Sequence, residues 1–315
     1  MSDDALILHH YDFSNYSEKV RLVLGHKSLS WYGVEIPSYE PKPEYTPLTA
    51  GYRRTPALQV GADVYCDTSL IVEVLEQHRP SPSIFPDTPA ARVQCDAWVY
   101  WAERAMFQAA ALYITGVHAR RFPDAFHSDR ARLHHRPEPD VARVEASAAR
   151  FKAQLEPNLK RLEALVQDCD EFVLGRDVTL ADFALYLTPW FLNVIDGSRQ
   201  VIEEYPGLEP WFERVAAVGH GNCTTLAAGD ALDIARRSEP VAVKPDQGYV
   251  APEGFAPGDE VVITPVDEAA PAAGVLVAVS AERLTIRAHH DACGTVHVHF
   301  PRLGYRVRKE RPSQH

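Results

Sequence analysis

The hydrophobic period of this chain changes twice, and each change falls at a stretch that breaks regular structure, so one repeating architecture cannot run through it. From Ala5 to about Pro82, strand and helix patterns alternate. ALILHHY reads as a strand, SEKVRLVLGHK as a helix and LSWYGVEI as a second strand, which together make a βαβ unit. A loop rich in Pro, Tyr and Gly follows. TPALQVGADVYC then gives two short apolar runs around a turn, and SLIVEVLEQH places Leu70, Ile71, Val74 and Leu75 on one helical face. RPSPSIFPDTP ends this region as a linker.

Between about Pro89 and Arg237 the periodicity is almost wholly helical, strongest in VQCDAWVYWAERAMFQAAALYITG, VARVEASAARFKAQLEPNLKRLEALVQD and TLADFALYLTPWFLNVID. The polar stretch HARRFPDAFHSDRARLHHRPEPD interrupts it, as a long exposed connection or a partner-facing loop; sequence leaves both open. Past about Pro240, short β-branched runs between Gly, Pro and acidic turns predict a small antiparallel barrel or sandwich. The expected units are an α/β domain over 1–84, an all-α domain over 89–237 and a β-rich domain over 243–311.

Charge narrows the function classes. With 43 acidic against 32 basic side chains the net charge is -11, which argues against nucleic acid and anionic membranes as partners. The five cysteines are scattered and form no C-x-x-C pair, as expected in a reducing cytoplasm. The start MSDD has no leader pattern, and no run of about 18 apolar residues predicts a membrane span. His297 and His299 share a strand face and His289 and His290 precede them, but surface histidines are commoner than ligands and no metal is expected. The basic end RLGYRVRKERPSQH reads as a solvated tail.

Three places in the first domain could hold a ligand. In HHYDFSNYSEKVRLVL, a strand runs through a loop into a helix, presenting hydroxyls and first-turn N–H groups to an anion. Locally, Asn15 and Glu18 resemble a capping box, and His9 and His10 lie on opposite strand faces, one expected buried and the other exposed. RRTPAL puts Pro56 at the head of a strand, where a cis bond would turn the backbone of Thr55 towards the same sheet edge. Asp67, Thr68 and Ser69 offer oxygens and helix amides that suit an amino acid's ammonium and carboxylate. A cap is the plain structural alternative at each helix start.

Over roughly residues 5 to 230 the sequence resembles the cytosolic glutathione transferase superfamily, through FSNYSEKVRLVL, RRTPAL, TSLIVEVL and TLADFALY. In the last, Thr179 and Asp182 resemble the superfamily's N-capping box, with Val178 and Phe183 set for a hydrophobic staple. The resemblance implies a thioredoxin-like domain holding glutathione as cosubstrate and an all-helical domain supplying most of an electrophile pocket. The β-rich region is an addition to that plan.

By resemblance Ser14 stands at the catalytic Cys or Ser position, donating a hydrogen bond to the glutathione sulfur, with Tyr11 or Tyr16 as alternative donors. Thr55, before Pro56, would bond the cysteinyl backbone and Ser69 the γ-glutamyl carboxylate. Thr68 replaces the usual Glu or Gln, so Asp67 is the substitute for the ammonium; Asn15 replaces a common proline. With no thiol in the loop, glutaredoxin-like exchange is disfavoured. Tyr100, Trp101, Arg104, Phe107 and Gln108 follow the linker on the first long helix and are the expected electrophile-pocket residues. The implied function is conjugation of the glutathione thiolate to a hydrophobic electrophile, by a homodimer. Isomerisation, dehalogenation, or a non-catalytic binding or scaffold role on the same fold are the alternatives.

Overall fold

In the computed structural model, which describes residues 4–195, 197–243, 249–267 and 270–310, the central strand β1 (Ile7–His10) is buried along its whole length. It pairs in parallel with β2 (Ser30–Glu35), reached through α1 (Asn15–His26), and antiparallel with β3 (Ala57–Val60). β4 (Asp63–Cys66) closes the hairpin and α2 (Thr68–His78) follows, giving the βαβ unit, hairpin and helix that the patterns predict in the thioredoxin-like arrangement that the resemblance implies.

The helical half begins with α3 (Pro89–Trp101), passes through a π-helical turn (Ala102–Met106) and continues as α4 (Phe107–Val117). Two short helices, α5 (Asp124–Leu133) and α6 (Val141–Ala146), precede the long α7 (Ala148–Asp168). Buried α8 (Leu180–Val194), then α9 (Gln200–Glu203) and α10 (Glu209–Ala216), complete it. The N-terminus of α8 is held as its sequence predicts: the Thr179 N–H donates to Asp182 Oδ2 at 3.0 Å, and Trp211 Nε1 donates to Oδ1 at 3.1 Å. Among the described residues no helix is long and apolar enough to cross a membrane.

The helical pattern expected up to Arg237 stops earlier. Gly219 and Gly221, both at positive φ, turn the chain back into β5 (Asn222–Thr225), which pairs in parallel with β2, and α11 (Ala228–Arg237) packs against the sheet. The remaining strands, β6 (Glu260–Pro265), β7 (Ala272–Val279), β8 (Arg283–His290), β9 (Gly294–Pro301) and β10 (Tyr305–Lys309), form the antiparallel region foreseen near the C-terminus. It is not set apart. β9 pairs in parallel with β4, so that one sheet runs β10-β6-β7-β8-β9-β4-β3-β1-β2-β5. Residues 311–315 of the basic tail lie outside the described residues.

This junction gives the sheet two covered faces. Leu8 joins the core with Val20, Ile71 and Phe183, whereas its neighbour Ile7 joins Val34, Val64, Val298 and Phe300. Full burial of side chains such as Val298 and Phe300 contributes about 1.5–3 kcal/mol each, which makes the C-terminal strands part of the core. For the same reason both His9 and His10 are buried, at 1% and 9% exposure, and the expectation of one exposed histidine fails.

The β4–β9 seam also explains the C-terminal histidines. His299 Nε2 donates to Asp63 Oδ1 at 2.8 Å, leaving Nδ1 to accept from Thr285 Oγ1 at 3.0 Å. His297 Nδ1 lies 3.2 Å from the Val241 carbonyl. Among the described residues no three or more His, Cys, Asp or Glu side chains are grouped to hold a metal ion.

Candidate functional site

A cavity of about 850 Å³ opens where the loop between β1 and α1 meets helices α4 to α7. Tyr11, Phe13, Asn15 and Tyr16 line it from the first side, Lys42, Arg53, Arg54 and Thr55 from the loop before β3. From α4 comes a stripe of Phe107, Ala111, Ile114 and Thr115, continued by His118 at the helix C-cap, the spacing of one helical face.

The hydroxyl of Ser14 is turned away from this space. Ser14 is 2% exposed, does not line the cavity, and caps α1: the Ser17 N–H donates to its Oγ at 3.2 Å and the Ser17 hydroxyl at 2.9 Å. The cap is therefore Ser14, one residue before the expected Asn15. Glu18 does not reach back to it, because Arg21 Nε and His220 Nε2 donate to its carboxylate at 2.9 and 3.0 Å. Displacing Asn15 from the cap frees its side chain. The residue lines the cavity, and among the described residues its buried Nδ2 has no hydrogen-bond partner, an arrangement that costs about 1–3 kcal/mol unless a ligand accepts the bond.

Across the mouth the Thr55–Pro56 bond is cis, and Lys42 Nζ donates to Thr55 Oγ1 at 2.9 Å and to the Arg53 carbonyl at 3.0 Å. Burial, reinforced by Arg130 and Arg53, pushes the Lys42 ammonium down to about 7. At the start of α2, Asp67 is the cap, accepting from the Ser69 N–H at 3.0 Å and the Ser69 hydroxyl at 2.8 Å through Oδ1. Its φ is +77°, and Oδ2 accepts from the Tyr305 hydroxyl at 2.9 Å. Burial would raise the Asp67 carboxyl, but Arg54 and the two Ser69 bonds hold it below the usual range. Asp267, between β6 and β7, reaches the same corner, pairing with Arg54 at 3.3 Å and with Arg104 from the π-helical turn.

Comparison with known proteins agrees with this plan. The family model "Glutathione S-transferase, N-terminal domain" matches residues 8–83 and "Glutathione S-transferase, C-terminal domain" matches residues 145–214. A crystal structure of a GST-like protein from Pseudomonas syringae is 34% identical, covers 98% of this chain and 100% of its own, and superposes with a TM-score of 0.78. The chain belongs to the glutathione S-transferase family. FtsZ-localized protein A of Caulobacter vibrioides (strain NA1000 / CB15N) is 27% identical over 213 residues, 67% of this chain and 82% of that protein. A Methylobacterium radiotolerans glutathione S-transferase, crystallised in complex with glutathione sulfonate, shares the fold at 20% identity and a TM-score of 0.53, covering 70% of this chain and 97% of its own.

Set against the glutathione S-transferase pattern, the cavity collects Tyr11, Tyr16, Thr55 and Phe107 of the residues singled out from sequence, and leaves Ser14, Asp67, Thr68 and Ser69 outside its lining. Thr68 is buried and Ser69 exposed at the start of α2. Of the five expected pocket residues only Phe107 faces the cavity. Tyr100 is 70% exposed, Trp101 Nε1 donates to Asn158 Oδ1 at 3.0 Å, Arg104 is paired with Asp267, and Gln108 is exposed. The π-helical turn shifts the register between the face of α3 and that of α4, while Gln108, next to Phe107 on α4, is turned from the cavity by ordinary helical rotation. Sequence reasoning missed Asn15 as a lining donor, Lys42, and the contribution of Tyr305 and Asp267. Only Lys42 had a local signal, a lone lysine in the proline-rich loop.

Proposed function

We propose that this family member is a glutathione-dependent transferase that conjugates the tripeptide's thiolate to an electrophile bound among the α4–α7 side chains. The carrying observation is Asn15, a cavity-lining residue whose buried Nδ2 has no hydrogen-bond partner among the described residues, beside Tyr11 and Tyr16 and at the N-terminus of α1. A sulfur anion placed there gains the Asn15 bond and the positive end of the helix, the combination that lowers thiol pKa values. Ser14 acts as a positioning residue, its hydroxyl holding the first turn so that Asn15 points into the cavity. Thr55 bonds the cysteinyl backbone, Lys42 beside it takes a carboxylate, and Asp67 with Ser69 meets the γ-glutamyl end. A homodimer is the assembly the family leads one to expect.

A second reading, a binding protein without turnover, is favoured by the 27% identity to FtsZ-localized protein A and by the commitment of the Ser14 hydroxyl to a cap. Ultraviolet titration of bound glutathione decides between them. The transferase reading expects thiolate absorbance at a pH below that of the free tripeptide, lost in Asn15→Ala and weakened in Tyr11→Phe, with Ser14→Ala less affected. Glutathione that binds with an unchanged thiol pKa leaves the binding role. Thiolate lost only in Ser14→Ala returns the donor role to the serine of the family pattern.

A further inference from the structure

The polar stretch that interrupts the helical pattern is a wall of the cavity. It brings Arg130, Phe122 and Phe126 to the lining, and the helices that follow it add Arg143 from α6 and Arg150 and Phe151 from α7. With Arg121 and Arg136 this wall sets five arginines against Glu138 and Asp140, so on a chain of net charge -11 the local sign opposes the global one.

The arginines are also arranged on rings. The Arg130 guanidinium lies 5.0 Å from the Phe126 ring centroid and that of Arg150 lies 4.6 Å from Phe151, while Phe122 stacks on Phe126 at 4.4 Å. A guanidinium that gives its flat face to a ring keeps its in-plane N–H groups for a planar anion. Arg130 spends one of these on the Ser38 carbonyl at 3.2 Å, which ties α5 to the loop after β2. Among the described residues neither Arg130 nor Arg150 has a carboxylate within ion-pairing distance, whereas Arg143 has Asp140 at 3.6 Å. A solvated arginine face would account for a charge run; it would not interleave the charges with aromatic rings along a cavity. The hydrophobic electrophile expected from the family does not account for the arginines.

We propose that the second substrate is an anionic aromatic electrophile, its ring set among Phe122, Phe126 and Phe151 and its carboxylate or similar planar anion held by the Arg130 and Arg150 wall. This rests on the transferase reading, and the two are separated by a matched probe pair. In 4-chloro-3-nitrobenzoate and 4-chloro-3-nitrobenzamide the reaction is the same: the thiolate forms a C–S bond, the C–Cl bond breaks and chloride leaves with its electron pair. The full-length protein should favour the carboxylate in kcat/KM by about tenfold or more. That ratio should collapse in Arg130→Gln with Arg150→Gln, and recover partly in the Arg→Lys versions.

Binding of unreactive 4-methyl-3-nitrobenzoate and its amide, followed by calorimetry, gives a readout that needs no turnover. Carboxylate preference in binding with no conjugation of either chloride supports the anion wall and sinks the transferase reading. Conjugation of both probes with equal kcat/KM, or a preference unchanged in the double variant, overturns the anion wall and leaves the transferase reading intact.

Discussion

Tyr305, in the last strand, donates its hydroxyl to Asp67 Oδ2 at 2.9 Å, and so a residue from the C-terminal region completes the cap of helix α2. Tyr52 donates in turn to the Tyr305 oxygen at 2.7 Å, with its ring against Phe300. A bond to a charged acceptor of this kind contributes about 1.5–3 kcal/mol. Tyr305→Phe should therefore lower thermal stability by several degrees and weaken glutathione several-fold by calorimetry. A variant with parental melting and parental affinity would show that the C-terminal strands do not support this corner.

Asp267 joins two halves of the molecule, since Arg54 precedes Thr55 and Arg104 sits on the π-helical turn. The pairs are partly exposed, so Asp267→Asn should cost only about 1 kcal/mol in chemical denaturation. The difference between parent and variant should shrink in high salt, because screening weakens in the parent the ion pairs that the variant already lacks. A salt-independent difference would point to packing instead.

Lys42 makes ligand binding visible as proton movement. Burial first, then Arg130 and Arg53, bring its ammonium to about 7, so it is partly neutral at pH 8. A carboxylate beside it favours the charged form and raises that value, so binding of S-methylglutathione, whose thioether has no proton to release, should take up protons at pH 8. Calorimetry in buffers of different ionisation enthalpy measures this. Lys42→Met should abolish most of the uptake; uptake that persists in the variant excludes Lys42 as its source.

Acid should unfold the protein through its first strand. Burial pushes His9 to about 4 despite the bond from Nε2 to Gln59 Oε1, and burial with Arg21 pushes His10 to about 4. In the unfolded chain each titrates near 6.5, so between 6.5 and 4 the unfolded state binds more protons. The stabilisation is present above 6.5 and lost as pH falls towards 4, by about 3 kcal/mol per histidine. His9→Gln should flatten the slope of unfolding free energy against pH across that window; an unchanged slope would assign the acid sensitivity to other groups.

What the amino-acid order determined by itself was local. The alternation of periods, the proline at the head of β3 and the Thr179–Asp182 cap are written in residues a few positions apart, and the family resemblance rests on those motifs. The tertiary structure decided which side chains meet the cavity. A one-residue difference at the start of α1 makes Ser14 the cap and leaves Asn15 at the lining, and a π-helical turn carries Arg104 to Asp267 rather than to the face that Phe107 occupies. It also decided that β9 docks on β4, bringing His299 to Asp63 and Tyr305 to Asp67. Strand edges carry the same backbone donors and acceptors everywhere, so which edge pairs with which depends on the surfaces both partners bury, and that is a property of the folded whole.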